Sequence, residues 1–385
     1  MTTIEFNKTA PASVARSSLF DRIREISLRE IRSRAFEIDK EGRYPVDILR
    51  RLGEAGAFAQ HHNGFGEDYC TDMGAAITAM SIVAQECLST AFCTWCQDAF
   101  GWYVQNTENT TLRDKLQEGA ATGEIPGGTG LSNLMKALSG IEQLRLKGTR
   151  VAGGYRIEGL LPWVSNIEDG HYFGICFALN DDPDHLVMAL ARCGDEGVAV
   201  REAARFIALN GTATSSVSFA QAFISEERVL ADPARSFVQK IRPGFILLQA
   251  GMALGLVRGS IALMRSLPGA TLRANAFLPI GPIEIEYRLL TLEDEIAKLA
   301  ATPSRDDREF LESVLKARFE SSQLSLDSAQ AAMLHAGARA YVEGSVYARR
   351  LRESYFIAIV TPAMKHLAKD IDALAKTPMP QCGGR

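Results

Sequence analysis

The sequence predicts a mainly α-helical protein with a central β domain: an N-terminal α-helical domain over residues 1–122, an antiparallel β-barrel domain over 123–230, and a C-terminal four-helix bundle over 231–385. Three observations carry this reading. Up to Gly123 the apolar residues recur at helical spacing. From Gly123 to about Arg228 the segments shorten, turn β-rich and are cut by Gly, Asn and Asp. After Pro233 four long helical stretches return with short Gly/Pro breaks between them, the pattern of an antiparallel bundle.

Each element has a local cause. Ser17–Lys40 sets Leu19, Ile23, Ile26, Ile31, Phe36 and Ile38 at helical spacing, and Tyr44-Pro45 ends it. Val46–Ala55 begins a second helix that stops at Gly56, and Asn63–Asp68 reads as a turn. Met73–Phe100 is mostly apolar and poor in charge, so it predicts a long, buried helical stretch; Thr107–Glu118 predicts a polar helix. Strands are predicted at Leu144–Leu146, Tyr155–Leu161, Tyr172–Leu179, His185–Ala191, Val198–Glu202 and Ser216–Ile224, with turns at Asn180–Asp184 and Gly194–Gly197. Pro162 is expected to stop the second strand, having no N–H to donate. The bundle helices are Phe237–Ser266, Pro282–Ala300, Asp306–Tyr341 and Val346–Ala375, the last broken at Thr361-Pro362. The tail Thr377–Arg385 reads as a frayed end.

Composition excludes several function classes. A net charge of −4 without a basic block gives no footprint for nucleic acid or an anionic membrane. The first ten residues carry Glu5 and lack the apolar stretch of a secretory signal. Phe245–Met264 has the length of a membrane span, but Gln249, Arg258, Ser260 and three glycines make it a bundle core instead. Seven scattered cysteines read as reduced thiols of a cytoplasmic protein. Cys93 and Cys96 form a CxxC with no second pair and read as core residues; His61-His62 lack a third ligand, so no metal is expected.

The candidate site is Gly153–Asn166, taken with the Gly-rich run Gly127–Asn133. Trp163 and Ser165 are spaced i and i+2, which on an extended segment puts both side chains on one face. An aromatic wall beside a small hydroxyl suits a flat heteroaromatic ligand. These motifs, in this order, resemble the acyl-CoA dehydrogenase superfamily over nearly the whole chain. Glu37–Phe58 is similar to its first helix pair. Trp163 and Ser165 fall on its Trp-x-Thr/Ser pair, and Ala208–Leu230 on the segment closing its β domain. Ile241–Leu263 resembles its first bundle helix, with Arg242-Pro243 at an Arg-Pro pair, and Gly337–Ser354 runs from its Gly-Gly turn to its Arg-Asp-Ala. The resemblance implies that fold and an FAD site to which Thr129, Leu131, Ser132, Trp163, Ser165, Arg273 and Gly337 contribute, with FMN or a diffusible reduced flavin as alternatives. It further implies substrate contacts from Arg242 and Thr361, a homotetramer or homodimer bridged at Gly337–Arg339, and an electron-transfer partner or flavin reductase.

The resemblance breaks at the chemistry. Relatives remove an α-proton with a glutamate while hydride leaves for flavin N5; Thr361 stands at that position, and Ile241 at the second position known for it. Glu343 reads as a solvated turn carboxylate. Ala363 and Lys365 replace a Thr and a Gln at the adenosine half, and Arg273–Phe277 is one residue longer than its counterpart. His335 and His366, on the last two helices, could face the flavin or simply pack. Two reactions stay open: oxidation of an acyl thioester or related acyl substrate, and a monooxygenase using reduced flavin and oxygen.

Overall fold

The computed structural model describes residues 12–65, 71–180, 182–202 and 204–376. The expected features at residues 1–11, in the second half of the Asn63–Asp68 turn, at residue 181 of the Asn180–Asp184 turn and in the tail Thr377–Arg385 lie outside the described residues.

The chain opens with α1 (Ala12–Ile26) and α2 (Arg32–Phe36), joined and extended by π-turns at Ser27–Ile31 and Glu37–Glu41. Leu19, Ile23, Ile31 and Ile38 form its buried stripe, as their spacing dictates. α3 (Val46–Glu54) follows. The helical stretch expected over Met73–Phe100 is divided into two helices, α4 (Met73–Ala84) and α5 (Leu88–Asn106). The reason lies 265 residues downstream. Glu353, with no exposed surface, accepts the Leu88 N–H at 3.3 Å. Arg350 donates to the carbonyls of Ala84 (2.8 Å) and Gln85, and Arg349 to that of Glu86 (2.8 Å). Side chains thus satisfy the backbone groups at the break, which a helix end otherwise leaves orphaned.

After α6 (Thr110–Thr122) come β1 (Gly127–Thr129), α7 (Ser132–Leu138), β2 (Lys147–Val151), β3 (Gly154–Val164), β4 (Tyr172–Leu179), β5 (Asp182–Arg192), β6 (Val198–Glu202), β7 (Ser215–Ser225) and β8 (Val229–Ala231). The strand order β6-β7-β3-β2-β4-β5-β8 corrects the expectation of an antiparallel barrel. The sheet is mixed: β4 runs parallel to β1 at its start and parallel to β2 at its end. Leu144–Leu146 leads into β2 and is not itself a strand. Pro162 does not stop β3, because the β3–β7 register shifts between Leu161 and Val164 and no ladder bond there calls for its N–H. The alternate residues Tyr155, Ile157, Val164, Phe173 and Ile175 bury a core of their own.

The bundle comprises α8 (Arg235–Leu248), α9 (Ala250–Arg265), the short α10 (Gly269–Asn275), α11 (Pro282–Ala300), α12 (Arg308–Ala336), α13 (Val346–Ile359) and α14 (Met364–Lys376). Residues 235–265 are the one described helical stretch long and apolar enough to cross a membrane. Of their apolar window 83% is buried against neighbouring helices, which identifies a bundle core. α13 and α14 are separated at Val360–Ala363, the break foreseen at Thr361-Pro362.

Candidate active site

Between the end of β3, helices α5, α7 and α8, and the α13–α14 break lies a predominantly apolar cavity of about 460 Å³. Open clefts of 1080 and 860 Å³ lie elsewhere on the surface and are mainly polar.

One wall forms where β1 meets β3. Thr129 bridges Ser165, and a Cβ at Gly128 would stand 2.2 Å from the Ser165 carbonyl oxygen, so only glycine permits the approach. Asn166 takes a left-handed φ of 61°, which asparagine tolerates. Its side chain donates to the Gly127 carbonyl at 2.7 Å and accepts from Tyr44 Oη at 2.8 Å. The alternation of β3 sends Val164 into the sheet core and leaves Trp163 and Ser165 on the cavity face. The Trp163 ring is 43% exposed and is met by the Phe206 ring at 5.6 Å and 60°. Ser165 Oγ accepts from Thr214 Oγ1 at 2.9 Å, and Thr212 Oγ1 stands 2.8 Å behind Thr214. With that lone pair taken, the Ser165 proton is free for the cavity. Thr129 Oγ1 lies 2.9 Å from Tyr103 Oη and accepts the Leu131 N–H at 3.4 Å.

The loop bearing Phe206, Thr212 and Thr214 is strained: Leu209 and Ala213 hold φ of 63° and 43°. Two distant groups hold it. Buried Asp39 accepts the Leu209 N–H at 2.8 Å, and Arg352 joins Asp39 (2.7 Å) to the Ile207 carbonyl (2.5 Å). One ion pair therefore links the N-terminal helices, the sheet domain and α13.

Across the cavity, Ser132 Oγ lies 3.0 Å from Thr361 Oγ1. The Thr361 carbonyl accepts from Gln249 Nε2 at 2.9 Å, and Gln249 Oε1 in turn accepts from Arg318 Nε at 2.8 Å. Arg318 also donates to Ser322 and, at 2.7 Å, to the Ile357 carbonyl. Burial lowers its pKa to about 10, so it stays charged with only neutral acceptors around it. The inner end is aromatic: Phe92 stacks on Trp95 at 5.5 Å, and Phe356 and Phe245 meet them edge-on at 4.7 and 5.0 Å. At the rim Lys136 donates to Glu142 at 3.0 Å, and this bond holds the Glu142 carboxyl below its ordinary range. His366 Nδ1 accepts the Ala363 N–H at 3.2 Å. Burial first, then Lys365 and Lys136, lower the pKa of its ring.

Of the residues singled out in the sequence, Thr129, Ser132, Trp163, Ser165 and Thr361 are brought together on this cavity. Leu131 is buried behind it, its N–H engaged by Thr129. Arg242, expected to contact substrate, instead pairs with Asp370 at 2.5 Å, and Asp370 also accepts from Ser139 Oγ at 2.9 Å. That arginine ties α8 to α14 and is not among the lining residues. Arg273 on α10 and Gly337 after α12 are exposed and away from the cavity. His335 packs, its Nε2 2.9 Å from the Ile280 carbonyl oxygen. Glu343 is an exposed turn carboxylate. Sequence reasoning missed Glu142, Phe206, Thr212, Thr214 and the inner rings. The i, i+2 hydroxyls of Thr212 and Thr214 repeat the Trp163/Ser165 spacing and were a usable signal. Among the described residues no group of three His, Cys, Asp or Glu is placed to hold a metal.

No family model matches the chain. It is 24% identical over 252 residues to benzylmalonyl-CoA dehydrogenase of Aromatoleum aromaticum, a match covering 63% of this chain and 64% of that protein. Butyryl-CoA dehydrogenase from Megasphaera elsdenii has a similar structure, with a TM-score of 0.83 at 14% identity, covering 97% of this chain and 100% of that one. Dibenzothiophene monooxygenase from Paenibacillus sp. A11-2 also shares the fold, with a TM-score of 0.76 at 15% identity over 94% of this chain and 99% of that one.

Proposed function

We propose that this chain, which belongs to the acyl-CoA dehydrogenase superfamily by its fold, is a flavin-dependent oxidoreductase acting on an acyl thioester or related acyl substrate. The observation that carries this reading is the wall made by Trp163 and Ser165. An exposed ring, propped by Phe206, stands beside a hydroxyl whose proton Thr214 leaves free. A flat apolar face with hydroxyl donors at its edge fits an isoalloxazine ring. FAD is the proposed cofactor, with FMN or a diffusible reduced flavin as alternatives; when bound, it supplies a two-electron acceptor. Thr129, Ser132, Trp163 and Ser165 would hold it. Arg273 and Gly337 are proposed to serve the adenosine end across a homotetramer or homodimer, their distance from the cavity in one chain being consistent with that.

The residues opposite the wall shape the substrate end. Phe92, Trp95 and Phe245 offer an apolar lining for an acyl group. The paired hydroxyls of Ser132 and Thr361 orient one another, and the Arg318–Gln249 relay fixes the Thr361 carbonyl. An acyl-CoA, the class that the name of the curated relative gives, is the proposed substrate. An electron-transfer protein would take up the electrons, and a cytoplasmic setting suits the five free, buried cysteines among the described residues.

A monooxygenase reading has one observation in its favour. The only carboxylate among the described cavity residues is Glu142, and Lys136 neutralises it. Thr361, at the position expected for the base, has an ordinary hydroxyl that does not abstract protons at neutral pH.

One experiment separates the readings. The purified protein is examined for a bound flavin spectrum and titrated anaerobically with acyl-CoAs. Bleaching without added reductant supports acyl oxidation. Turnover that needs NAD(P)H, a flavin reductase and oxygen supports the monooxygenase. Failure to bind any flavin refutes both.

A further inference from the structure

We propose that His366 is the hydrogen-bond donor of the cavity to an acyl carbonyl oxygen that gains negative charge, and that it is not the base missing at Thr361. The inference rests on reading the cavity as an acyl site. His366 is the third residue of α14, and its Nδ1 faces the N–H of Ala363, the residue that caps this helix, at 3.2 Å. A backbone amide can only donate, so Nδ1 must hold its lone pair there. In a neutral imidazole the proton is then on Nε2. Nε2 bonds no described protein atom, although the residue is only 3% exposed and lines the cavity. The ring thus presents one free N–H to whatever fills the cavity, and no lone pair with which to take a proton from it.

The surrounding charges agree. Lys365 on α14 and Lys136 on α7 raise the positive potential, and the N-terminus of the 13-residue α14 adds its own partial charge. Two acids face the ring, and both have partners: Glu142 is bonded to Lys136, and Asp370 to Arg242 and Ser139. Arg352 of α13, also on the cavity, is bound to Asp39. The field disfavours an imidazolium and favours an oxyanion on the ligand. A donor held in place before the charge develops is what stabilises an enolate or related oxyanion without moving a proton.

The test uses the full-length protein with its flavin and acetoacetyl-CoA, an acyl thioester that readily forms an enolate. With 15N-histidine labelling, the His366 ring signals, assigned by their loss in His366→Gln, should show a protonated Nε2 and an unprotonated Nδ1 at neutral pH and above. A proton on Nδ1 of the neutral ring, or an imidazolium that persists above neutral pH, overturns the proposal. His366→Leu should weaken acetoacetyl-CoA roughly 10- to 150-fold, as loss of a hydrogen bond to a charged group does, while His366→Gln, which keeps an N–H donor, should stay within about fivefold. Equal losses in the two variants, or none in His366→Leu, also overturn it. If the wild-type protein shows the Nε2 proton yet binds no acyl-CoA, the acyl reading of the cavity fails, and the carbonyl assignment with it.

Discussion

Glu353→Ala tests the long-range contact that breaks the helix between α4 and α5. In the native chain the Glu353 carboxylate has no exposed surface and receives Arg349 and Arg350 at 3.0 Å each, plus the Leu88 N–H at 3.3 Å. Removing it leaves two guanidinium groups uncompensated in the interior and one backbone donor unbonded. Breaking a buried ion pair by deleting one partner costs about 3–5 kcal/mol. The internal comparison is Asp294→Ala, which removes an exposed pair with Lys298 whose side chains are 74% and 68% exposed; solvent screens such pairs, and they contribute little to stability. Equilibrium urea unfolding followed by tryptophan fluorescence reads both. The midpoint should fall several times further for Glu353→Ala than for Asp294→Ala, with Glu353→Gln between them. Equal shifts would refute the claim that this cluster specifies the break.

Thr214→Val removes the donor to Ser165 while keeping the side-chain shape. The Ser165 hydroxyl then loses the bond that orients it, so flavin affinity should drop about 3- to 10-fold, the range of one ordinary hydrogen bond; a flavin titration with no change contradicts the orienting role. The second concerns Asp98, which lies fully buried 3.3 Å from His61 Nε2. Burial raises its carboxyl to about 6, against the opposing pull of His61. Its folded pKa lies above the unfolded value of 3.8, so ionisation opposes folding, and this cost appears as pH rises through 4 to 6. The gap between the folded and unfolded values corresponds to about 3 kcal/mol. Asp98→Asn should therefore stabilise the protein at pH 8 and lose that advantage at pH 4, measured by denaturation at both values; an advantage independent of pH sinks the assignment.

Local chemistry made part of this molecule legible and long-range chemistry hid the rest. β4, β6 and α11 fall at their expected bounds because Tyr172–Leu179, Val198–Glu202 and Pro282–Ala300 carry both their periodicity and their own punctuation. Trp163 and Ser165 reach the cavity together for the same reason, since their i, i+2 spacing holds to the end of β3. The parallel pairing of β1 with β4 was not legible, because it joins Gly127 to Tyr172 with no local signature. Nor was the role of Arg242, whose partner Asp370 lies 128 residues away. Pro162 misled because a register shift removes the demand that proline cannot meet. The break at Gln85–Cys87 is the same lesson: an unbroken apolar run cannot reveal that Arg349, Arg350 and Glu353 will claim its backbone.

The central claim is that a flavin lies against Trp163, and titrating FAD and FMN into the flavin-free protein tests it most directly. The wild-type protein should bind at least one of them with a perturbed flavin spectrum. Trp163→Ala should weaken that binding roughly 5- to 150-fold, the loss expected when a flat heteroaromatic ring gives up an aromatic stacking partner. Unchanged affinity and an unchanged spectrum in Trp163→Ala would contradict the placement of the flavin in this cavity.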